Sequence, residues 1–314
     1  AAVMHDGRWI GTTRKWYLPN YGVFDENRYF MSEPRTRVFE RSGVVFGVNV
    51  CEDIWVGGGA VEDQVVRGGA EVVLNLSASP YHHGKTDHRR RMIATRAVDH
   101  LAVVGFVNLV GGQDEVVYDG ASLVVDQEGR TLAEGAMFEE DLVVADVDLD
   151  EVFNARLHDT RLRKERAMAE GEPVPRVVLP PVATPAARPA IPAPGPRAPL
   201  DPYAEIYKAL VTGTRDYVRK TGFDTVVIGL SGGVDSALTA CVAVDALGAA
   251  HVVGVSMPSV YTSSDSQRDA EALAGNLGVR FMTVPIRDVF DAYAKALAPA
   301  FQGRGADITE ENLQ

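Results

Sequence analysis

Apolar positions in the first half of the chain cluster into short runs rich in β-branched residues. Val44-Val45-Phe46-Gly47-Val48-Asn49-Val50 is one such run, and residues 71–76, 103–109 and 122–126 form others. Runs of this length, bounded by glycine or polar residues, predict strands. Asp126-Gln127-Glu128-Gly129-Arg130 reads as a turn into a further strand. Residues 89–101 differ. Met92, Ile93, Ala97 and His100 recur there at helical spacing, which predicts a helix. The first part of the chain is therefore expected to be an α/β unit with helices packed on sheets.

The pattern breaks between Pro173 and Pro202, where eleven of the seventeen prolines fall. Proline fixes φ and removes a backbone donor, so the stretch excludes helix and central strand and favours extended polyproline II. It reads as a linker, because structureless loops of that length are uncommon inside a domain. Beyond it, strands and helices alternate: strand 225–230, helix 236–247, strand 252–257, helix 264–277, strand 280–285, helix 289–297. This alternation predicts parallel βαβ units and a doubly wound sheet. The expected organisation is a first domain over 1–170, a Pro/Ala-rich linker over 171–200 and a second domain over 201–314.

Composition narrows the function classes. The 314 residues suffice for two domains, and 46% hydrophobic with 24% charged residues is an ordinary globular balance. A net charge of −12 argues against a large nucleic-acid surface, which needs a basic patch. Small anions remain open, since backbone donors and metals bind them locally. Cys51 and Cys241 are the only cysteines, which excludes a disulfide framework and points to a reducing cytoplasm. No apolar run reaches membrane-spanning length, so no membrane partner is expected. Ala1-Ala2-Val3-Met4-His5 has neither the basic and apolar regions of a signal peptide nor an initiator Met at position 1. With the abrupt final Thr309-Glu310-Glu311-Asn312-Leu313-Gln314, this gives the expectation of a piece cut at both ends.

The chemistry concentrates in two places. Gly229-Leu230-Ser231-Gly232-Gly233-Val234-Asp235-Ser236 follows a strand and opens a helix. There a parallel sheet offers free N–H groups and the positive end of a helix to an anion. Gly232 and Gly233 let backbone approach phosphate, and Ser231 and Ser236 add hydroxyls. The loop is neither a Walker A sequence nor a G-x-G-x-x-G fingerprint. Asp235 would repel phosphate unless a divalent cation lay between, which points to Mg²⁺ on Asp235. The bland reading is a glycine turn at a helix start. The full Ser-Gly-Gly-x-Asp-Ser string in its strand–loop–helix setting outweighs it.

This octet resembles the pyrophosphate loop of the N-type ATP pyrophosphatases, a family that includes NAD synthetase, GMP synthetase and asparagine synthetase. The resemblance implies that residues 229–236 bind ATP, with Ser231, Gly233, Asp235 and Ser236 on the leaving pyrophosphate. Met257-Pro258-Ser259-Val260-Tyr261-Thr262-Ser263-Ser264, followed by Asp269-Ala270-Glu271-Ala272-Leu273-Ala274, resembles the NAD synthetase members. Residues 309–314 resemble the start of their dinucleotide-binding stretch, which implies that Asn312 contacts deamido-NAD. Cys241 lies in an apolar helix and reads as core.

Cys51 follows the 44–50 run directly and leads into Glu52-Asp53-Ile54-Trp55. A thiol at the C-terminal end of a strand is well placed as a nucleophile, although a lone cysteine after an apolar run is ordinarily buried core. The surroundings decide. Arg14-Lys15-Trp16-Tyr17-Leu18-Pro19-Asn20-Tyr21-Gly22-Val23-Phe24-Asp25-Glu26 resembles the lysine motif of nitrilase-type amidases, in the version fused to NAD synthetases. Val48-Asn49-Val50-Cys51-Glu52-Asp53-Ile54-Trp55 resembles their cysteine motif. Asn75-Leu76-Ser77-Ala78-Ser79-Pro80 and Asn108-Leu109-Val110-Gly111-Gly112-Gln113-Asp114-Glu115 match two further segments.

That resemblance implies a Glu-Lys-Cys triad. Cys51 would attack the glutamine side-chain amide, Lys15 and the Glu52 N–H would stabilise the oxyanion, and Tyr21, Glu52, Ser79 and Lys85 would contact glutamine. No residue here matches the family's general-base glutamate, so residues 1–314 alone are expected to hydrolyse glutamine poorly. Glu26 and Glu52 are nearby carboxylates with supporting roles. His82, His83 and His88 fit no zinc spacing and read as a polar loop at the pocket edge, not a metal site.

Taken together, the resemblances imply a nitrilase-like α-β-β-α sandwich followed by a doubly wound parallel α/β domain. The implied activity is that of the glutamine-dependent NAD synthetases. Deamido-NAD is adenylated by ATP and amidated by glutamine-derived ammonia passed along a sheltered path. The implied assembly is a homo-oligomer. Two rivals stay open on the residues alone: a different ATP-activated acceptor, and a catalytically silent nucleotide-binding protein.

Overall fold

A computed structural model of the chain describes residues 1–181, 189–191 and 194–301. The chain divides into two compact units, the first of residues 1–111 and 116–202, the second of residues 112–115 and those from Tyr203 onward.

The first unit opens with a hairpin of β1 (Ala2–His5) and β2 (Arg8–Thr12). β3 (Val38–Arg41) and β4 (Val44–Val50) follow, and β4 runs into a 3₁₀ turn at Cys51–Ile54. A short helix, α1 (Ala60–Glu62), continues as a π-helical turn to Arg67. Next come β5 (Val72–Ser77), α2 (Lys85–His100) and β6 (Val103–Asn108). Four short strands follow: β7 (Val110–Gln113), β8 (Val116–Asp119), β9 (Leu123–Val125) and β10 (Thr131–Glu134). Helices α3 (Leu149–His158) and α4 (Arg161–Met168) and strand β11 (Arg176–Val178) complete the unit.

Seven strands form one mixed sheet in the order β10-β9-β6-β5-β4-β3-β11, while β7 and β8 pair as a separate ribbon. β4, β5 and β6 are its parallel centre. Their runs are nearly continuous in apolar residues because both faces are covered. On one face, Ile93 and Ala97 of α2 pack against Val73, Val104, Phe106 and Leu123. On the other, Phe39, Val48 and Leu179 pack against Ala1, Val3 and Ile10 from the chain start and hairpin. The register pairs Val50 with Leu76 and Ser77 with Asn108, so the three carboxyl ends finish together. Ligand crevices form at that edge of a parallel sheet.

The second unit contains α5 (Pro202–Lys220), β12 (Val226–Gly229), α6 (Val234–Leu247), β13 (Val252–Ser256), α7 (Ser264–Leu277), β14 (Arg280–Thr283) and α8 (Arg287–Leu297). Its three strands are parallel in the order β12-β13-β14, one arm of a wound α/β sheet. Ala240 of α6 and Ala270 and Ala274 of α7 are buried with Leu230. Such small side chains allow close helix approach.

Several boundaries differ from the sequence reading. The helix expected over 89–101 starts at Lys85, so His88 sits on a helix and not in a loop. The run 103–109 ends as a strand at Asn108, and a new strand begins at Val110. The proline-rich stretch is not structureless throughout. Arg176–Val178 adds as an edge strand parallel to β3, and Pro202 occupies the first turn of α5. Both placements suit proline chemistry, since an edge tolerates flanking prolines and a first helical turn needs no proline N–H. Helices α3, α4 and α5 were not anticipated. No described helix is long and apolar enough to cross a membrane.

Candidate functional site

At the carboxyl end of β4 the backbone turns sharply. Cys51 holds φ +49°, a left-handed conformation that costs a non-glycine residue roughly 1–3 kcal/mol and recurs at functional sites. Buried polar contacts hold the strained turn. Asp53 Oδ2 accepts from Val50 N at 3.0 Å, and Asn75 Nδ2 donates to Cys51 O at 3.3 Å and to Asn49 Oδ1 at 2.6 Å.

Asp53 also joins the cysteine turn to the lysine segment. Its Oδ1 accepts the backbone N–H groups of Trp16 and Tyr17, both at 2.9 Å. Burial raises the Asp53 carboxyl above the ordinary carboxylate range, while these three backbone donors and nearby Lys15 pull it back. The Lys15 ammonium grips Glu26 through both carboxylate oxygens, at 2.7 and 2.8 Å, and both side chains are mostly buried.

A pocket of about 310 Å³ opens over Cys51, walled by Tyr21, Glu52, Trp55, Ser79, Pro80 and Lys85. All four residues expected to contact glutamine therefore line one cavity with Cys51. Lys15 is outside that lining, turned to Glu26. Tyr21 Oη donates to Glu52 Oε2 at 2.9 Å, and burial together with this bond pushes its phenol up to about 12. Lys85 Nζ donates to Pro80 O at 2.6 Å and lies 5.5 Å from the Trp55 ring centre. Burial lowers the Lys85 pKa, and the Arg89 guanidinium lowers it further. The Tyr118 phenol is raised by burial and by Cys51. His82 also lines the pocket, while His88 stacks on Trp55 at 5.7 Å.

Sequence reasoning gave Glu26 only a supporting role and missed Asp53, Asn75 and Trp55. Each lies inside one of the matched segments, and Asp53 directly follows Glu52. The sequence does not display the backbone contacts that give them work.

In the second unit, the loop after β12 has the expected strand–loop–helix form. Leu230 is buried in the core, so only its backbone faces outward chemistry. Gly232 holds φ +84°, and a Cβ there would meet Ser266 O at 2.3 Å. Ser231 Oγ accepts from Gly233 N at 3.2 Å, and Ser236 Oγ donates to Gly233 O at 3.0 Å. Val234 begins α6 and Asp235 lies in its first turn, exposed. Among the described residues, no cluster of three His, Cys, Asp or Glu side chains could hold a metal alone. A cation on Asp235 would complete its oxygen shell from phosphate and water, as Mg²⁺ does. Beyond β13, Ser263 caps α7 by accepting from Ser266 N at 3.0 Å. Asn312 lies outside the described residues.

Comparison with known proteins bears on both halves. Residues 1–156 match the carbon-nitrogen hydrolase family, and residues 206–314 match the NAD synthase family. The whole chain is 44% identical to a glutamine-dependent NAD(+) synthetase of Thermotoga maritima and 42% identical to one of Aquifex aeolicus, covering 54% of each. It also resembles the solved structure of glutamine-dependent NAD(+) synthetase from Acinetobacter baumannii in complex with ADP. That likeness has a TM-score of 0.79 at 39% identity, covering 99% of this chain and 52% of that one. The chain spans about half the length of the curated relatives it matches. With both family segments present in order and relatives of one kind along its full length, the chain belongs to the family of glutamine-dependent NAD(+) synthetases.

Proposed function

We propose that the protein carrying this chain makes NAD from deamido-NAD, ATP and glutamine. Residues 1–170 act as the glutaminase, 171–200 connect, and 201–314 belong to the ATP-using domain. The observation that carries the reading is Cys51. It is strained at the end of a parallel strand and shares a pocket with Tyr21, Glu52, Ser79 and Lys85.

In the first unit, the Cys51 thiolate attacks the side-chain carbonyl carbon of glutamine. Lys15, oriented by Glu26, and the Glu52 N–H receive the charge developing on oxygen. The proton shed by the Cys51 thiol passes to the leaving nitrogen, so collapse of that adduct expels ammonia and leaves a thioester, which water cleaves to glutamate. Tyr21, Glu52, Ser79 and Lys85 hold the amino-acid end of the substrate.

In the second unit, the N–H groups at the start of α6 and the hydroxyls of Ser231 and Ser236 take the β- and γ-phosphates of ATP. The carboxylate of deamido-NAD, held in part by Asn312, attacks the α-phosphate and pyrophosphate leaves. Ammonia then displaces AMP from the acyl adenylate to give the amide. Asp235 would hold Mg²⁺, which would neutralise charge on the phosphates. The ADP in the Acinetobacter baumannii relative supports nucleotide binding. A cytoplasmic homo-oligomer completes the proposal.

The ATP half is tested with ammonium as donor. Asp235→Asn is expected to abolish AMP formation from ATP and deamido-NAD while glutamine hydrolysis persists. Undiminished AMP formation in that variant would refute the assignment.

A further inference from the structure

Behind the pocket wall lies a buried polar network that touches neither Cys51 nor the space for substrate. Asp119 ends β8 and is fully buried. Its carboxylate accepts from Arg89 Nη1 at 3.0 Å, Arg89 Nη2 at 2.5 Å, Thr86 Oγ1 at 3.0 Å and Asn108 Nδ2 at 3.1 Å. Arg89 is fully buried as well, over the Phe106 ring. A carboxylate and a guanidinium removed from water need this degree of pairing.

Asn108 turns the network toward the pocket. Its Nδ2 donates both to Asp119 Oδ1 and, at 3.0 Å, to Gly120 O. Both amide hydrogens are thereby committed, so oxygen and nitrogen cannot exchange places. The amide oxygen is left to accept Ser79 N at 2.9 Å. Ser79 and Pro80 form one pocket wall, and Pro80 O receives the Lys85 ammonium. Lys85 and Arg89 are four residues apart on one face of α2, so the Arg89–Asp119 pair also anchors the helix turn that presents Lys85. Cys51 is held separately, through Asp53 and Asn75.

We infer that Asn108 and Asp119 are positioning residues for glutamine recognition: together they fix the Ser79–Lys85 wall and so set the affinity for glutamine, without touching it and without acting on the nucleophile. This rests on reading the Cys51 pocket as the glutamine site.

The test is alkylation of Cys51 by iodoacetamide in the full-length protein, followed at the Cys51 peptide by mass spectrometry, across a glutamine titration. Asn108→Ala is expected to need about tenfold more glutamine for half-protection, the effect of losing one oriented hydrogen bond. Thr86→Val removes a single donor to Asp119 and should shift half-protection the same way by about two- to threefold, which decides the matter if Asn108→Ala fails to fold. Glutamine-free alkylation should match wild type in both, a readout that a merely structural network would not spare. Unchanged half-protection, or a glutamine-free rate altered as much as the protection, overturns the inference. Failure of glutamine to protect the wild type would instead remove the glutamine reading of the pocket, and this inference with it.

Discussion

Lys15 and Glu26 show how much of this site depends on pairs and not on single residues. A mostly buried ammonium needs a counter-charge, and Glu26 supplies it through both oxygens. Glu26→Gln keeps the shape and removes the charge. It should lower glutamine-driven NAD synthesis by about tenfold to a hundredfold, leaving the ammonium-driven reaction near wild type; equal loss with both donors would show that Glu26 serves the fold and not Lys15. At this scale the motifs name individual side chains and are silent about their supports. Cys51, Tyr21, Glu52, Ser79 and Lys85 were legible from motifs, and the structure places them around one pocket. Asp53 was not, because a carboxylate accepting three backbone N–H groups from two segments has no signature in residue order. The positive φ of Cys51 is invisible for the same reason: motif position names the thiol, and only the chain path strains it.

Elements with strong, local periodicity were read well, and those fixed by partners were not. β4, β13 and α7 fall close to the expected limits, since continuous β-branched runs and a serine cap followed by helical spacing are local signals. β11 has three residues and no pattern of its own. It exists because β3 offers an unpaired edge. α5 did carry a start signal, Asp201-Pro202, but it was absorbed into the proline run. The start of α2 was missed because Lys85, Thr86 and Asp87 are polar, and the turn they form is held by Asp119 and not by an apolar stripe. The loop between β12 and α6 is the element whose geometry bears most on function. Gly232 meets the backbone of Ser266 at the start of α7 and holds a left-handed φ. Gly232→Ala should raise the KM for ATP by about tenfold or more, with glutamine hydrolysis unchanged, as measured by AMP and glutamate release in parallel. An unaltered KM would mean that the loop does not contact the nucleotide.

On the scale of the molecule, the chain holds two α/β units with different sheets, and each unit is intelligible alone. The first places Cys51 at the carboxyl end of a mixed sheet, and the second places N–H groups and hydroxyls at the carboxyl end of a parallel one. Fold class was legible because βαβ alternation is a local pattern. The edge strand, the hairpin and the buried networks depend on residues far apart in sequence. The central claim is that Cys51 serves only the glutamine half of one two-part synthesis. It is tested most directly by NAD and AMP formation in the full-length protein, from ATP, Mg²⁺ and deamido-NAD, with glutamine or ammonium, in wild type and Cys51→Ala. The expected result is loss of glutamine-driven synthesis in Cys51→Ala with the ammonium-driven reaction intact. Glutamine-driven synthesis surviving the substitution, or no NAD from either donor in the wild type, would contradict it.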